Sequence, residues 1–578
     1  MERAAYDLVV RNGQIIDGSG GAPYVADIGV KDSLIARIGS NLATGKREID
    51  AAGRIVTPGF VDIHTHYDGQ VTWSSHLDPS SENGVTTIVM GNCGVGFAPC
   101  KPEQRDMLIA LMEGVEDIPE VVMAEGLPWT WETFPEYLDF LEGRSFDLDV
   151  VAQVPHAALR IYVMGERAAR HEAATEADRA RMAQLTAEGV AAGAIGFSTS
   201  RSLNHKTLKG EVTPTYGSAE EELTEIGAAM PEGWLQVISD YAERDDEFAM
   251  LRRVAERTGR PLTTQILQTP SRPDQWQWLL DRLVEARKDG LDMFGQVMGR
   301  PIGLTLGFET SRNPFMDKPS YRQNKDLPLA EKIALLRDPA MKAKILAEAP
   351  EPPLSQPWDK YWRMMFPLDA RPTYEPDPTN SVAARAAREG RAPAELCYDL
   401  LLEEEGKAMV YVAMVNYADG DLNAVETMMR HPATVLGLSD GGAHVAAVCD
   451  ASAPTTTIAH WARDRTRGPK LPLPFLVKRL TRDGALAVGL ADRGLIAEGL
   501  KADLNVIDLD RLGVSRPTVR YDLPANGKRL AQPGIGYCAT IVSGVPVRIE
   551  GEPTGALPGQ LVRGQQADPR PEPQSAAA

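Results

Sequence analysis

The sequence predicts an α/β fold in which parallel strand–helix units close into an eight-unit barrel, with short-strand segments at both ends of the chain. Three observations carry this reading. From Gly59 to about Leu490, apolar runs of strand length alternate with longer helical patterns. The first 55 or so residues, and those after about 490, read instead as short strands broken by turns. Finally, the first apolar run of the alternating block leads into His64-Thr65-His66, and an extended chain turns both imidazoles to one face.

The elements follow in order. Leu8-Val9-Val10, Gln14-Ile15-Ile16 and Asp27-Ile28-Gly29-Val30 are strand-like, and Gly18-Ser19-Gly20-Gly21 and Lys31-Asp32-Ser33 break them. Ile35-Ala36-Arg37-Ile38 and Arg54-Ile55-Val56 complete a small sheet over 1–58. In the block 59–490, strands are expected at 86–90, 148–154, 194–197, 234–238, 262–267, 293–297 and 434–438, with helices such as 176–191 and 247–257 between them. The stretch 310–406, rich in proline and aromatic residues, interrupts the alternation. It reads as an insertion on the active-site side, helical at 329–337 and 341–347, serving as a lid, a binding element or an oligomer contact. Its Trp358, Tyr361 and Trp362 suit either a substrate pocket or the insertion's own core. Short strands return over 491–565, at 503–508 and 540–547. The Pro-, Gln- and Ala-rich tail 566–578 is expected to be disordered.

With 578 residues the chain exceeds one hydrophobic core, and 43% hydrophobic with 24% charged residues is the balance of a soluble globular protein. A net charge of −19 argues against nucleic acid and against an anionic membrane surface as partners. No signal-peptide pattern and no membrane-length apolar run is seen, and five irregularly spaced cysteines make no disulfide framework. A reduced, cytoplasmic protein is the expectation.

Three strand ends carry the chemistry. The first bears His64 and His66; the second, Met90-Gly91-Asn92-Cys93-Gly94-Val95-Gly96, bears Cys93; the last, Leu438-Ser439-Asp440-Gly441-Gly442, bears Asp440. In a parallel barrel these ends meet at one face, where two imidazoles, a thiolate and a carboxylate would bind a zinc-like ion. Blander readings stand beside this one: Asp440 as a turn carboxylate, and Cys93 as a small buried hydrophobe. Gly91, Gly94 and Gly96 relieve the backbone around Cys93; no phosphate-binding glycine fingerprint is present.

His64-Thr65-His66-Tyr67-Asp68-Gly69-Gln70, then Gly84-Val85-Thr86-Thr87-Ile88-Val89-Met90-Gly91-Asn92-Cys93-Gly94, Gly196-Phe197-Ser198-Thr199 and Ser439-Asp440-Gly441 resemble the D-aminoacylase (N-acyl-D-amino-acid deacylase) group of the amidohydrolase superfamily. Asp503, in a Gly-x-Lys-Ala-Asp-Leu segment, extends the likeness to nearly the whole chain. The resemblance implies a TIM-like (β/α)8 barrel, a small β-sandwich built from both termini, and metal-dependent hydrolysis. It makes His64 and His66 metal ligands, Cys93 a cysteine able to bridge two metal positions, and Asp440 the aspartate that binds metal and handles protons.

The match lapses at the fifth and sixth strands. The family places a histidine ligand at each, whereas here they read Gln236-Val237-Ile238-Ser239-Asp240-Tyr241 and Thr264-Gln265-Ile266-Leu267-Gln268-Thr269. Gln268 also stands where the family has a lysine for the substrate carboxylate. The expectation is therefore one zinc ion on His64, His66 and Asp440 with Cys93 beside it, and at most a weakly bound second ion. Ser239, Asp240 and Gln265 are the remaining candidates to complete the site.

The expected reaction is hydrolysis of a linear amide of a small N-acyl compound by metal-activated water, with Asp440 as general base and acid. His156 and His444 are candidate oxyanion donors, though His156 reads equally as a satisfied structural histidine. His205 is expected to be structural or at the surface, and His431 helix-terminal. Arg160, Arg201 and Arg300 follow barrel strands and could grip an acidic substrate. A cyclic amidase or a deaminase on the same fold is the second enzymatic reading, and a barrel that has lost its metal and serves as a scaffold is the third. The only partner implied is a small-molecule amide, with self-association open.

Overall fold

The computed structural model describes residues 4–352 and 357–571. The molecule is mixed α/β, and its sheets divide by strand direction. Both ends of the chain contribute to a single nine-stranded sheet. Tyr6–Ile15 pairs antiparallel with Tyr24–Lys31 and parallel with Gly45–Asp50 and Ile55–Pro58. Ile55–Pro58 in turn pairs antiparallel with Leu504–Ile507, Val506 opposite Val56, which brings the C-terminal strands into the N-terminal sheet. Leu8, Val10, Ile28, Val56, Leu504, Val506 and Ile541 form its apolar core. The two short strands expected near residues 8–10 and 14–16 are one ten-residue strand, kinked by a register shift between Val10 and Gly13 where Asn12 takes a positive φ of 59°. Asparagine tolerates that conformation, so the strand continues through the irregularity.

The parallel strands form two arcs. Phe60–Asp62, Val85–Met90 and Asp149–Ala152 make the first. Val154–Pro155, Gly196–Arg201, Trp234–Ser239, Leu262–Gln265, Met293–Val297 and Thr434–Leu436 make the second. Val85–Met90 and Trp234–Ser239 are buried at every residue, as parallel strands covered on both faces must be. Only Gln153 separates the arcs at one junction. At the other, Thr65 bridges Gly441 in parallel sense. Helices Glu176–Ala191, Arg244–Thr258 and Gln275–Lys288 run between successive strands of the second arc. The first opens on a capping box in which Thr175 accepts from Asp178 N.

The chain beyond Arg300 departs from this plan. Ile302–Leu306, Met365–Pro367 and Val410–Val415 form an antiparallel sheet whose helices, Leu329–Leu336, Pro339–Ala347 and Pro393–Gly406, share a separate apolar core with it. Trp358 lies in that core and Tyr361 and Trp362 pack on it, so these aromatics furnish the insertion and not a pocket wall. The start of the tail is ordered against the rest: Ala491 N donates to Gln566 O at 2.7 Å, and Arg482 pairs with Asp568 at 3.4 Å. The remainder of the segment expected to be disordered, 572–578, lies outside the described residues. Among the described residues no helix is long and apolar enough to cross a membrane.

Candidate metal centre

Beyond Asp62 the chain stays extended between its two neighbours. Thr65 N donates to Val89 O at 3.0 Å on one side, and His66 N to Gly441 O at 2.8 Å on the other. The pleat therefore sends His64 and His66 to a common face. Cys93 reaches them from a tight turn at Asn92–Gly94, entered through Gly91. Gly91 has φ 81°, and a Cβ there would stand 2.4 Å from Gln153 O, so only glycine fits. Cys93 itself has φ 57°, a strained conformation held by Cys93 N donating to Gln236 Oε1 at 2.9 Å and by Asn92 Nδ2 donating to Val89 O at 2.9 Å. Asp440, with φ 48°, closes the group, its N donating to His64 O at 3.2 Å.

The donor atoms converge. Cys93 Sγ is 3.3 Å from His64 Nε2, and Asp440 Oδ1 is 3.4 Å from His64 Nε2 and 3.7 Å from His66 Nε2. Donors of His64, His66 and Cys93 all lie within 4.8 Å of one another. Bonds of about 2.0–2.3 Å to a tetrahedral ion put neighbouring ligands roughly 3.3–3.7 Å apart, so the donor set fits zinc. His64 donates from Nδ1 to Gln296 Oε1 at 2.7 Å, which turns the Nε2 lone pair inward. Burial lowers the pKa of His64 to about 4, so the ring is a neutral donor. Burial pushes the Cys93 thiol up to about 12, so its thiolate form calls for a compensating cation. Burial would also raise Asp440, but its hydrogen bond with His66 and the neighbouring imidazoles hold it well below the usual carboxylate range.

The remaining candidates part from this group. His156 is fully buried with both ring nitrogens engaged, Nδ1 with Thr199 Oγ1 at 2.8 Å and Nε2 with Glu222 Oε1 at 2.7 Å. It is the satisfied structural histidine and not an oxyanion donor. Arg160 pairs with the same Glu222, Arg201 with Glu247 and Arg300 with Asp450, so none of the three is free for an acidic substrate. Gln265 spends its amide on Ser239 N and O, Ser239 Oγ bonds Glu247, and Asp240 holds Ser202 and Leu203 N. No completing ligand comes from those strands. His444 does reach the site, on the loop after Asp440. His205 keeps to the structural role expected of it: Ser200 Oγ is 2.8 Å from its Nδ1.

Sequence reasoning missed Glu116, Gln236 and Gln296. Glu116 ends helix Arg105–Glu116 four residues after buried Met112 and eight after buried Leu108, a carboxylate on an apolar stripe. That misplaced charge was the available signal. The two glutamines carry no periodicity signal, because strand interiors admit any residue whose amide finds a partner.

The model of the amidohydrolase family matches residues 47–548. The chain belongs to this family. Membership makes it a hydrolase of carbon–nitrogen bonds other than peptide bonds, acting on amides. Among its relatives, an uncharacterized protein of Mycobacterium tuberculosis is 26% identical over 547 residues, covering 89% of this chain and 86% of that one. D-aminoacylase of Alcaligenes xylosoxydans xylosoxydans is 35% identical over 195 residues, 34% of this amidohydrolase and 37% of the relative. Two solved structures show the likeness of fold. A crystal structure of D-aminoacylase has a TM-score of 0.63 at 21% identity, covering 96% of this chain and 100% of that one. N-acyl-D-glutamate deacylase from Bordetella bronchiseptica, complexed with zinc and a phosphonate mimic of the tetrahedral intermediate, has a TM-score of 0.60 at 23% identity, covering 96% and 99%.

Proposed function

We propose that this amidohydrolase cleaves the linear amide bond of a small N-acyl compound, of the N-acyl-amino-acid type, at a single zinc site. His64, His66 and Asp440 would hold the ion, with Cys93 beside them. The observation that carries the reading is the convergence of Cys93 Sγ and Asp440 Oδ1 on His64 Nε2 at 3.3 and 3.4 Å. We also propose that the two parallel arcs are halves of one closed (β/α)8 barrel. The Thr65–Gly441 bridge and the likeness to the D-aminoacylase fold support that closure. In such a barrel the donor-bearing segments rise from one rim.

A bound divalent ion supplies Lewis-acid activation of water near neutral pH. The protein does the rest. Gln296 fixes the His64 tautomer, and the turn at Gly91–Gly94 fixes Cys93. Asp440 takes a proton on its carboxylate from the attacking water and returns it to the leaving nitrogen, so that amide plus water gives carboxylic acid plus amine. The strained φ of Asp440 fixes the aim of the carboxylate, and pre-paid strain of this kind is common at reacting groups.

The test is metal content per chain by elemental analysis on wild type and the His64→Ala/His66→Ala double variant, followed by product analysis on a panel of N-acyl amino acids. About one zinc per chain, absent from the variant, with amine and carboxylate released, is the expected result. A metal-free wild type purified without chelator refutes the reading and leaves the scaffold interpretation standing.

A further inference from the structure

We propose that Glu116 is the positioning carboxylate of the metal centre, orienting His66 from behind and tying it to His444 on the loop that carries Asp440. The inference rests on the zinc reading above and adds to it a residue from outside the strand-end motifs. Glu116 closes helix Arg105–Glu116, and its side chain is 2% exposed. Its Oε1 lies 3.4 Å from His66 Nδ1, and its Oε2 lies 3.9 Å from His444 Nε2. No lysine or arginine pairs with it among the described residues. A buried carboxylate without a cation is costly, and the two imidazoles are the groups that face it.

The division of the His66 ring is the central point. Nε2 faces Asp440 and the other donors, while Nδ1, buried and without a hydrogen bond, faces Glu116. That is the carboxylate–histidine–metal order, in which the outer carboxylate fixes tautomer and ring orientation and raises ligand basicity. His64 receives the same support from Gln296, a neutral amide. The two ligands are thus backed differently, one by a dipole and one by a charge, and the charged partner offsets part of the ion's positive charge.

Glu116 also reaches the loop through its backbone. His444 N donates to Glu116 O, and Asp117, the next residue, receives Ser311 Oγ and Arg312 Nη2 of the insertion, each at 3.3 Å. The loop is pinned besides by Thr305 N to Ala447 O at 2.7 Å and by Leu530 N to Val445 O at 2.6 Å. One helix end therefore braces a metal ligand, the loop bearing Asp440 and the edge of the insertion. A glutamate at that end sets the position of His66 relative to Asp440.

The experiment measures zinc affinity by chelator competition, and the visible spectrum of the cobalt(II) form, for wild type, Glu116→Gln and Glu116→Asp. Thermal unfolding of the metal-free proteins is measured alongside. Glu116→Gln is expected to bind zinc 10–100-fold more weakly. Its cobalt bands should shift, while the metal-free protein keeps a cooperative unfolding transition, which shows that the weaker zinc binding is not a failure to fold. Glu116→Asp, a shorter carboxylate, should fall between the two, and it decides the matter if Glu116→Gln does not fold. Variants within twofold of wild type in zinc affinity, with unchanged cobalt bands, overturn the role of Glu116 and leave the zinc site intact. A wild type that binds neither metal overturns both.

Discussion

Replacing Glu222 by glutamine tests whether the His156 network is structural. Glu222 lies buried between His156 and Arg160, itself 3% exposed, and its carboxylate is the only acidic partner of that guanidinium among the described residues. Burial would raise the Glu222 pKa, but the hydrogen bond with His156 and the guanidinium of Arg160 carry it from 4.5 down to about 2. At roughly 1.4 kcal/mol per pH unit, that fall is worth about 3 kcal/mol. The independent expectation for a buried pair that loses one partner is about 3–5 kcal/mol, so the two routes agree. A carboxylate whose folded pKa is depressed stabilises fully above its unfolded value and loses that stabilisation as pH falls toward the folded value. The gap between wild type and Glu222→Gln in urea unfolding, followed by tryptophan fluorescence, should be about 3 kcal/mol at pH 7 and about 2 kcal/mol near pH 3.5. Zinc content should not change, because neither residue faces the donors. A gap below about 1 kcal/mol at pH 7, or loss of zinc from the variant, would refute the structural assignment of His156.

Three further predictions concern the centre itself. Asp440→Asn should lower kcat on an N-acyl substrate by about 10²–10⁴-fold, the worth of a positioned proton carrier, and steady-state kinetics on zinc-loaded protein will show whether it does. Gln296→Leu removes the acceptor of His64 Nδ1–H and should weaken zinc about 10–100-fold in chelator competition; equal affinity would mean the His64 ring is fixed by packing alone. Gly91→Ala places a Cβ 2.4 Å from Gln153 O at φ 81°, and calorimetry should register a loss of about 1–3 kcal/mol together with reduced metal content as the Cys93 turn shifts.

The parts of this structure legible in the sequence are those written in short periods. The helix expected at 176–191 spans Glu176–Ala191, and the strand expected at 234–238 spans Trp234–Ser239, because each carries its own apolar pattern between clear breaks. The convergence of His64, His66, Cys93 and Asp440 is legible for a related reason, since each follows a parallel strand and chain direction sets the end at which it lies. Groups that act across the fold were not legible. Gln296 meets His64 over 232 residues, and Gln236 meets Cys93 over 143, through spacings no local pattern records. His156 misled for the complementary reason. Its position after a strand is that of a site residue, and only Glu222, 66 residues on, claims its Nε2.

The glutamines show what occupies the fifth and sixth strands, where the resemblance to the D-aminoacylase group would place histidines. A site that gives up two imidazoles must either collapse into apolar packing or supply other groups for the space. Here Gln236 fills its part by accepting the Cys93 N–H at 2.9 Å, so that strand supports the turn carrying Cys93. Gln265 ties its strand to Ser239, and Gln268 bonds Asp419 at 2.6 Å and accepts from Ala418 N at 3.1 Å, which joins the sixth strand to the segment after Val415. Gln265 and Gln268 are thus committed to the framework through both amide atoms, and Gln236 through its Oε1. A fold with no use for metal would have no physical reason to keep Cys93 at a positive φ with its amide held by a buried glutamine. The strain at Cys93 and Asp440 costs on the order of 1–3 kcal/mol at each residue. Strain of this size beside two convergent imidazoles is what the proposed one-zinc reading requires.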